Sequence, residues 1–247
     1  MRKQSTKEKQ LPTSIQLKSI NDLVQSIVCG SMSDNPLNWI ICEGSSEKIY
    51  LSYFLKDIIE KYNLRILPMG GQPELLKLYR HLSIAFKDFD AELSGKVFMF
   101  CDTDEIPRDT FPKETEHKKL KLTRLINNEN TMKTELVHMN NNISSSKSEL
   151  ENVLNAKTFI KTLENFKDNY PDELVDLIPE NYAKFESGKF LPSQWALRLT
   201  PIESKKIWSF FDLTPTIKNE FAYQYLKNIE NDNDLPWIDE IKKFFTS

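Results

Sequence analysis

The stretch Trp39-Ile40-Ile41-Cys42-Glu43-Gly44-Ser45-Ser46-Glu47-Lys48-Ile49-Tyr50-Leu51 decides the fold. An apolar run of strand length stops at a carboxylate, a glycine turns the chain, and a helix begins with a second carboxylate one turn in. Open α/β sheets gather their chemistry at the carboxyl ends of the strands, where such an acid stands. Val97-Phe98-Met99-Phe100-Cys101-Asp102-Thr103-Asp104 repeats the arrangement, a second buried strand ending in two acids. A single acidic turn reads equally well as a solvated loop. Two acid-tipped strands in one chain point to a metal site.

Upstream of that stretch, Ile15, Leu17, Ile20, Leu23, Val24, Ile27 and Val28 fall mostly at helical spacing. They predict a helix over 14–28, ended by Gly30. Residues 1–12 are basic and polar and read as a disordered lead-in. The first strand spans 38–42. Ser45 or Ser46 can cap the helix that follows, whose buried face holds Ile49, Tyr50, Phe54, Ile58 and Tyr62. Leu64 to Pro68 is a second strand and Gly70-Gly71 its turn. Pro73 suits the first turn of a helix carrying Leu75, Leu76, Leu78, Tyr79, Leu82 and Phe86. Lys96 to Cys101 is the third strand. Strand, helix, strand, helix, strand at this spacing is the signature of parallel pairing with right-handed crossovers.

Past Asp104, Leu120 to Asn127 and Glu135 to Met139 read as further strands. The basic cluster Lys113, Lys118, Lys119, Lys121 and Arg124 has two readings, a phosphate-backbone contact or a solvated loop. No aromatic residue interleaves it to stack a base, which favours the loop. Ser148 to Lys167 has the spacing of one helix. Trp195, Trp208, Phe210, Phe211, Phe221, Tyr225, Trp237, Phe244 and Phe245 form the core positions of a mostly helical ending.

The 247 residues carry a net charge of −3, so bulk charge does not select nucleic acid and a binding surface must be local. Cys29, Cys42 and Cys101 make no CxxC pair, which suits a reducing compartment. With no secretory signal and no apolar run long enough for a bilayer, a soluble, cytoplasmic protein with no membrane attachment is expected. His81, His117 and His138 are not paired at ligand spacing. The carboxylates are therefore the candidate ligands, and hard divalent cations prefer such oxygens.

Glu43-Gly44-x-x-Glu47 after one strand and Asp102-x-Asp104 after another resemble the two acidic motifs of the Toprim domain. The resemblance spans roughly 38–155 and is nearest the OLD-like branch of nucleases, through Glu47 and the later pair Glu151-Asn152. It implies an α/β fold, a Rossmann-like parallel sheet flanked by helices with a mostly helical C-terminal region. The expected layout is a basic tail and amphipathic helix at 1–33, a Toprim catalytic core at 34–155, and a helical extension at 156–247 packed on the core.

The resemblance also implies a two-metal endonuclease using Mg²⁺ or Mn²⁺. One ion would fall to Glu43, Glu47 and Asp102, the second to Asp104 and Glu151. Glu149 joins only if a helix starts after it, because residues two apart on a helix do not share a face. The branch also places a lysine late in the domain, and Lys218 stands at a spot that suits it; the alternative reading is a surface lysine. The chain departs from the branch where Val153 replaces the aromatic that often follows Glu-Asn. Implied partners are a nucleic-acid substrate, DNA or RNA, and an ATPase, as in bacterial antiphage defence. No G-x-x-x-x-G-K-[ST] stretch is present, so that ATPase would be a separate subunit or an upstream domain of a longer chain. The helix at 14–28 would either dock it or pack on its own sheet. A homo-oligomer is compatible with this scheme. The competing class is a non-catalytic Toprim-like module that binds a protein or nucleic acid. Either way, Glu43 and Asp102 can meet only if their strands are neighbours.

Overall fold

A computed structural model describes residues 13–103, 117–128, 131, 133–139, 148–174, 196–197, 201–230 and 235–247. In chain order the elements are α1 (Thr13–Met32), β1 (Asn38–Cys42), α2 (Ser45–Phe54), α3 (Lys56–Ile59), β2 (Leu64–Pro68), α4 (Gln72–Asp88) and β3 (Val97–Cys101). There follow β4 (Leu120–Asn128), β5 (Lys133–His138), a short 3-10 helix (Leu150–Val153), α5 (Ala156–Phe166) and α6 (Pro171–Leu174). The last three helices are α7 (Pro201–Phe211), α8 (Ile217–Asn228) and α9 (Pro236–Thr246).

The strands form one sheet in the order β2-β1-β3-β4-β5. The first four run parallel and β5 pairs antiparallel to β4. β1 and β3 are direct neighbours, with Ile41 opposite Met99. Their carboxyl ends therefore share one edge with no strand between them.

Side-chain alternation sorts the core into two halves. Ile41, Val97, Met99, Leu120 and Leu122 face α1 and α4, where Ile27, Leu75, Leu82 and Phe86 are buried. Ile40, Cys42, Phe98, Phe100 and Leu125 face the opposite layer, which takes in α2, α5 and α7 to α9. Every residue of β3 is buried, as a central parallel strand covered on both faces requires. The C-terminal aromatics are core: Phe210, Phe211, Phe221, Tyr225, Trp237 and Phe245 are buried, and Trp208 and Phe244 pack at its margin. Trp195 lies outside the described residues.

Several expectations need correction. Gly30 does not end α1, which runs on to Met32. The lack of a side chain there makes room instead, since a Cβ would lie 2.9 Å from Leu37 Cδ1. Neither Ser45 nor Ser46 caps α2; Gly44 holds the N-cap without a side-chain bond. The helix expected through Tyr62 breaks at Leu55 into α2 and α3. The helix expected over 148–167 is two elements. Asn155 takes an extended conformation and its side chain accepts from Thr158 N, starting α5 afresh. The basic cluster is not one solvated loop either. Lys121 and Arg124 belong to β4, with Arg124 buried, and Lys119 bonds Asp90. Lys113 lies outside the described residues. Finally, α1 packs against the chain's own sheet layer, burying Ile27 and Val28. No helix among the described residues is long and apolar enough to cross a membrane.

Candidate functional site

Glu43 leaves the end of β1 and its side chain crosses to β3, where Oε1 accepts a hydrogen bond from the Asp102 backbone N–H at 2.9 Å. The two acidic motifs are thus in direct contact across neighbouring parallel strands. The Glu43 carbonyl is taken by the turn after β2, accepting from Gly70 N at 2.7 Å and Gly71 N at 3.0 Å. Both glycines have positive φ, +83° and +130°, which side-chain-bearing residues rarely adopt.

Glu47 sits in the first turn of α2 and is buried. Its carboxylate folds back over Gly44, so a Cβ at Gly44 would stand 2.8 Å from Glu47 Oε2. The Gly44 backbone is extended, with φ −134°. What the position requires is therefore space, not an unusual dihedral. Ser46 Oγ donates to Glu47 Oε2 at 3.2 Å and Ser45 Oγ donates to Asn219 Oδ1 at 2.8 Å, so both serines serve the site's surroundings.

The later acids arrive by an antiparallel bridge. Thr103 N donates to Ser148 O at 2.8 Å and Ser148 N to Thr103 O at 3.1 Å, which sets Glu149 beside the end of β3. The 3-10 helix begins after Glu149. Glu149 and Asn152 form a reciprocal capping box, with Glu149 N donating to Asn152 Oδ1 at 2.8 Å. The condition for Glu149 to join the cluster is met, and Asn152 serves to shape its turn. Helices of the C-terminal region brace this segment. Tyr225 Oη accepts from Asn155 N at 3.0 Å, and Trp237 Nε1 donates to Val153 O at 3.3 Å. Lys218, near the start of α8, places Nζ 2.7 Å from Glu149 Oε2 and within 6 Å of the Trp208 and Phe211 ring centres.

Electrostatics tie these groups together. Burial, then the charges of Glu47, Glu43, Glu151 and Glu149, push Asp102 well above the usual carboxylate range. Burial raises Glu151 to about 7, Lys218 opposing the shift and Glu47 adding to it. Burial alone would lower Lys218; Glu151 and Glu149 overcome that and hold its pKa above the ordinary lysine value. Like charges in a low-dielectric setting resist ionising together, hence the upward shifts.

The site therefore brings together Glu43, Glu47, Asp102, Glu149, Glu151 and Lys218. Asp104 lies outside the described residues. His117 packs on Phe86 and pairs with Asp90. As they stand, no three acid, histidine or cysteine side chains among the described residues are grouped closely enough to hold a metal ion. Yet Asp102 Oδ1 and Glu151 Oε1 are buried with no hydrogen-bond partner among those residues. An orphaned buried oxygen costs about 1–3 kcal/mol, more if charged. Two such oxygens among further carboxylates are a donor set suited to a hard divalent cation. One participant was not legible in the sequence: Gln72, buried, whose Nε2 donates to Asp102 O at 3.3 Å. A buried amide directly after a Gly-Gly turn was its one signal. No protein-family model matches the chain, and no curated protein or solved structure matches it either.

Proposed function

We propose that the chain is a metal-dependent nuclease of Toprim type, cleaving phosphodiester bonds in DNA or RNA. The observation that carries this reading is the junction of Glu43 with Asp102 across adjacent strands, beside two orphaned carboxylate oxygens. Glu43, Glu47, Asp102, Glu149 and Glu151, with Asp104, would hold Mg²⁺ or Mn²⁺. When bound, such ions activate a water and stabilise the leaving oxygen of an in-line displacement. The chain's own part is to gather acids from four segments, shield Asp102 Oδ1 and Glu151 Oε1 from bulk water, and keep the Lys218 ammonium at the rim. Without cations the rim would repel a phosphate backbone, so metal and substrate binding go together. An ATPase partner, on a separate subunit or upstream in a longer chain, and a role in antiphage defence belong to the same proposal.

The Lys218–Glu149 ion pair favours a second reading. In it the lysine satisfies the acids permanently and the chain is a non-catalytic binding module. A digest separates the two. Plasmid, single-stranded DNA and total RNA are offered together with Mg²⁺ or Mn²⁺ to the wild type, Glu43→Ala and Asp102→Ala. The nuclease reading expects cleavage of one substrate class by the wild type only, abolished by a chelator. Equal results from all three proteins leave the binding module standing.

A further inference from the structure

Asp102 lies beyond the sheet that should hold it. The β1–β3 ladder ends at Ile41 opposite Met99, and the β3–β4 ladder at Cys101 opposite Arg124. Its backbone N–H goes to the Glu43 carboxylate and its carbonyl to Gln72 Nε2. Glu43 is in turn fixed by the same turn that delivers Gln72. Met69 N donates to Cys42 O at 2.9 Å, and Gly70 and Gly71 donate to Glu43 O. Gln72 then opens α4, only 2 % exposed, with Oε1 buried and lacking a partner among the described residues. One short turn therefore grips both acidic motifs from behind.

We propose that Gln72 is a positioning residue for the acid cluster, holding the Asp102 backbone in place beside the Glu43 carboxylate so that the acids can close on a divalent cation. The inference rests on the metal-dependent reading above and names the group that sets its geometry. A buried amide is suited to the task, because its donor restrains a carbonyl without adding charge among the acids. Removing such an outer support costs about 10–100-fold in metal affinity, while the fold retains its sheet and both helix layers.

The test is Mn²⁺ titration by calorimetry on the wild type, Gln72→Met and Glu43→Ala, with metal-free melting curves alongside. Gln72→Met keeps the shape and removes the donor. The expected result is an unchanged melting curve with Mn²⁺ binding weaker by about tenfold or more. Wild-type affinity in Gln72→Met, with binding lost in Glu43→Ala, overturns the role of Gln72 and leaves the metal site. No Mn²⁺ binding by the wild type overturns both. If Gln72→Met does not fold, Gln72→Asn, too short to reach the carbonyl, gives the same reading. A lowered melting curve with wild-type affinity marks a purely structural residue and also overturns the inference.

Discussion

Glu149 and Lys218 are 69 residues apart in the chain and 2.7 Å apart in space. That pairing places a cation among the Glu43, Glu47, Asp102, Glu149 and Glu151 carboxylates on the first turn of α8, joining the C-terminal helices to the acid edge of the sheet. It also makes Lys218 an internal counter-charge to Glu149 and Glu151.

Lys218→Met should therefore destabilise the metal-free protein by about 1–3 kcal/mol. That is less than the ~3–5 of a fully buried pair, because the Lys218 side chain is 34 % exposed. Millimolar Mg²⁺ should recover part of the loss by supplying the missing positive charge. Urea midpoints with and without Mg²⁺ check both statements; identical midpoints for mutant and wild type would show that the pair carries no weight.

Glu151 sets a pH dependence whose sign is fixed. Its folded pKa, raised to about 7, lies above its ordinary value of 4.5, so the fold takes up a proton. The associated stability is full below pH 4.5 and is lost as pH rises through 7. Relative to Glu151→Gln, the metal-free wild type should lose on the order of 3 kcal/mol across that window. Denaturant curves at acid and mildly alkaline pH measure it. Parallel behaviour of the two proteins contradicts the burial of an ionisable Glu151.

Gly44→Ala separates function from folding. The new methyl would meet the end of a flexible side chain, Glu47 Oε2 at 2.8 Å, so the carboxylate moves and the backbone stays. Stability should change by less than about 1 kcal/mol, while Mn²⁺ affinity falls about tenfold or more. Unchanged affinity would mean that Glu47 stands outside the cluster.

Much of the frame was readable because each element had a local cause. β1 and β2 end where an acid and a Gly-Gly turn end them, and α4 buries the six apolar positions its spacing names. Leu120 and Glu135 mark β4 and β5, though the antiparallel direction of β5 follows from the short connection to β4, not from its own residues. What escaped were features made by distant contacts. The Thr103–Ser148 bridge has two hydrogen bonds and no periodicity to announce it. The break at Asn155 hid inside a run whose apolar spacing stays helical, although an Asn three residues before Thr158 is a capping signal. Gln72 looked like any first-turn residue; only its burial against Asp102 gives it meaning.

The most direct measurement is anomalous diffraction from crystals grown with Mn²⁺. The account expects a manganese peak within coordination distance of Asp102 Oδ1, with Glu43, Glu47 or Glu151 drawn in around it. Well-ordered carboxylates with no peak at that edge, or Lys218 Nζ filling the position at saturating Mn²⁺, would contradict it.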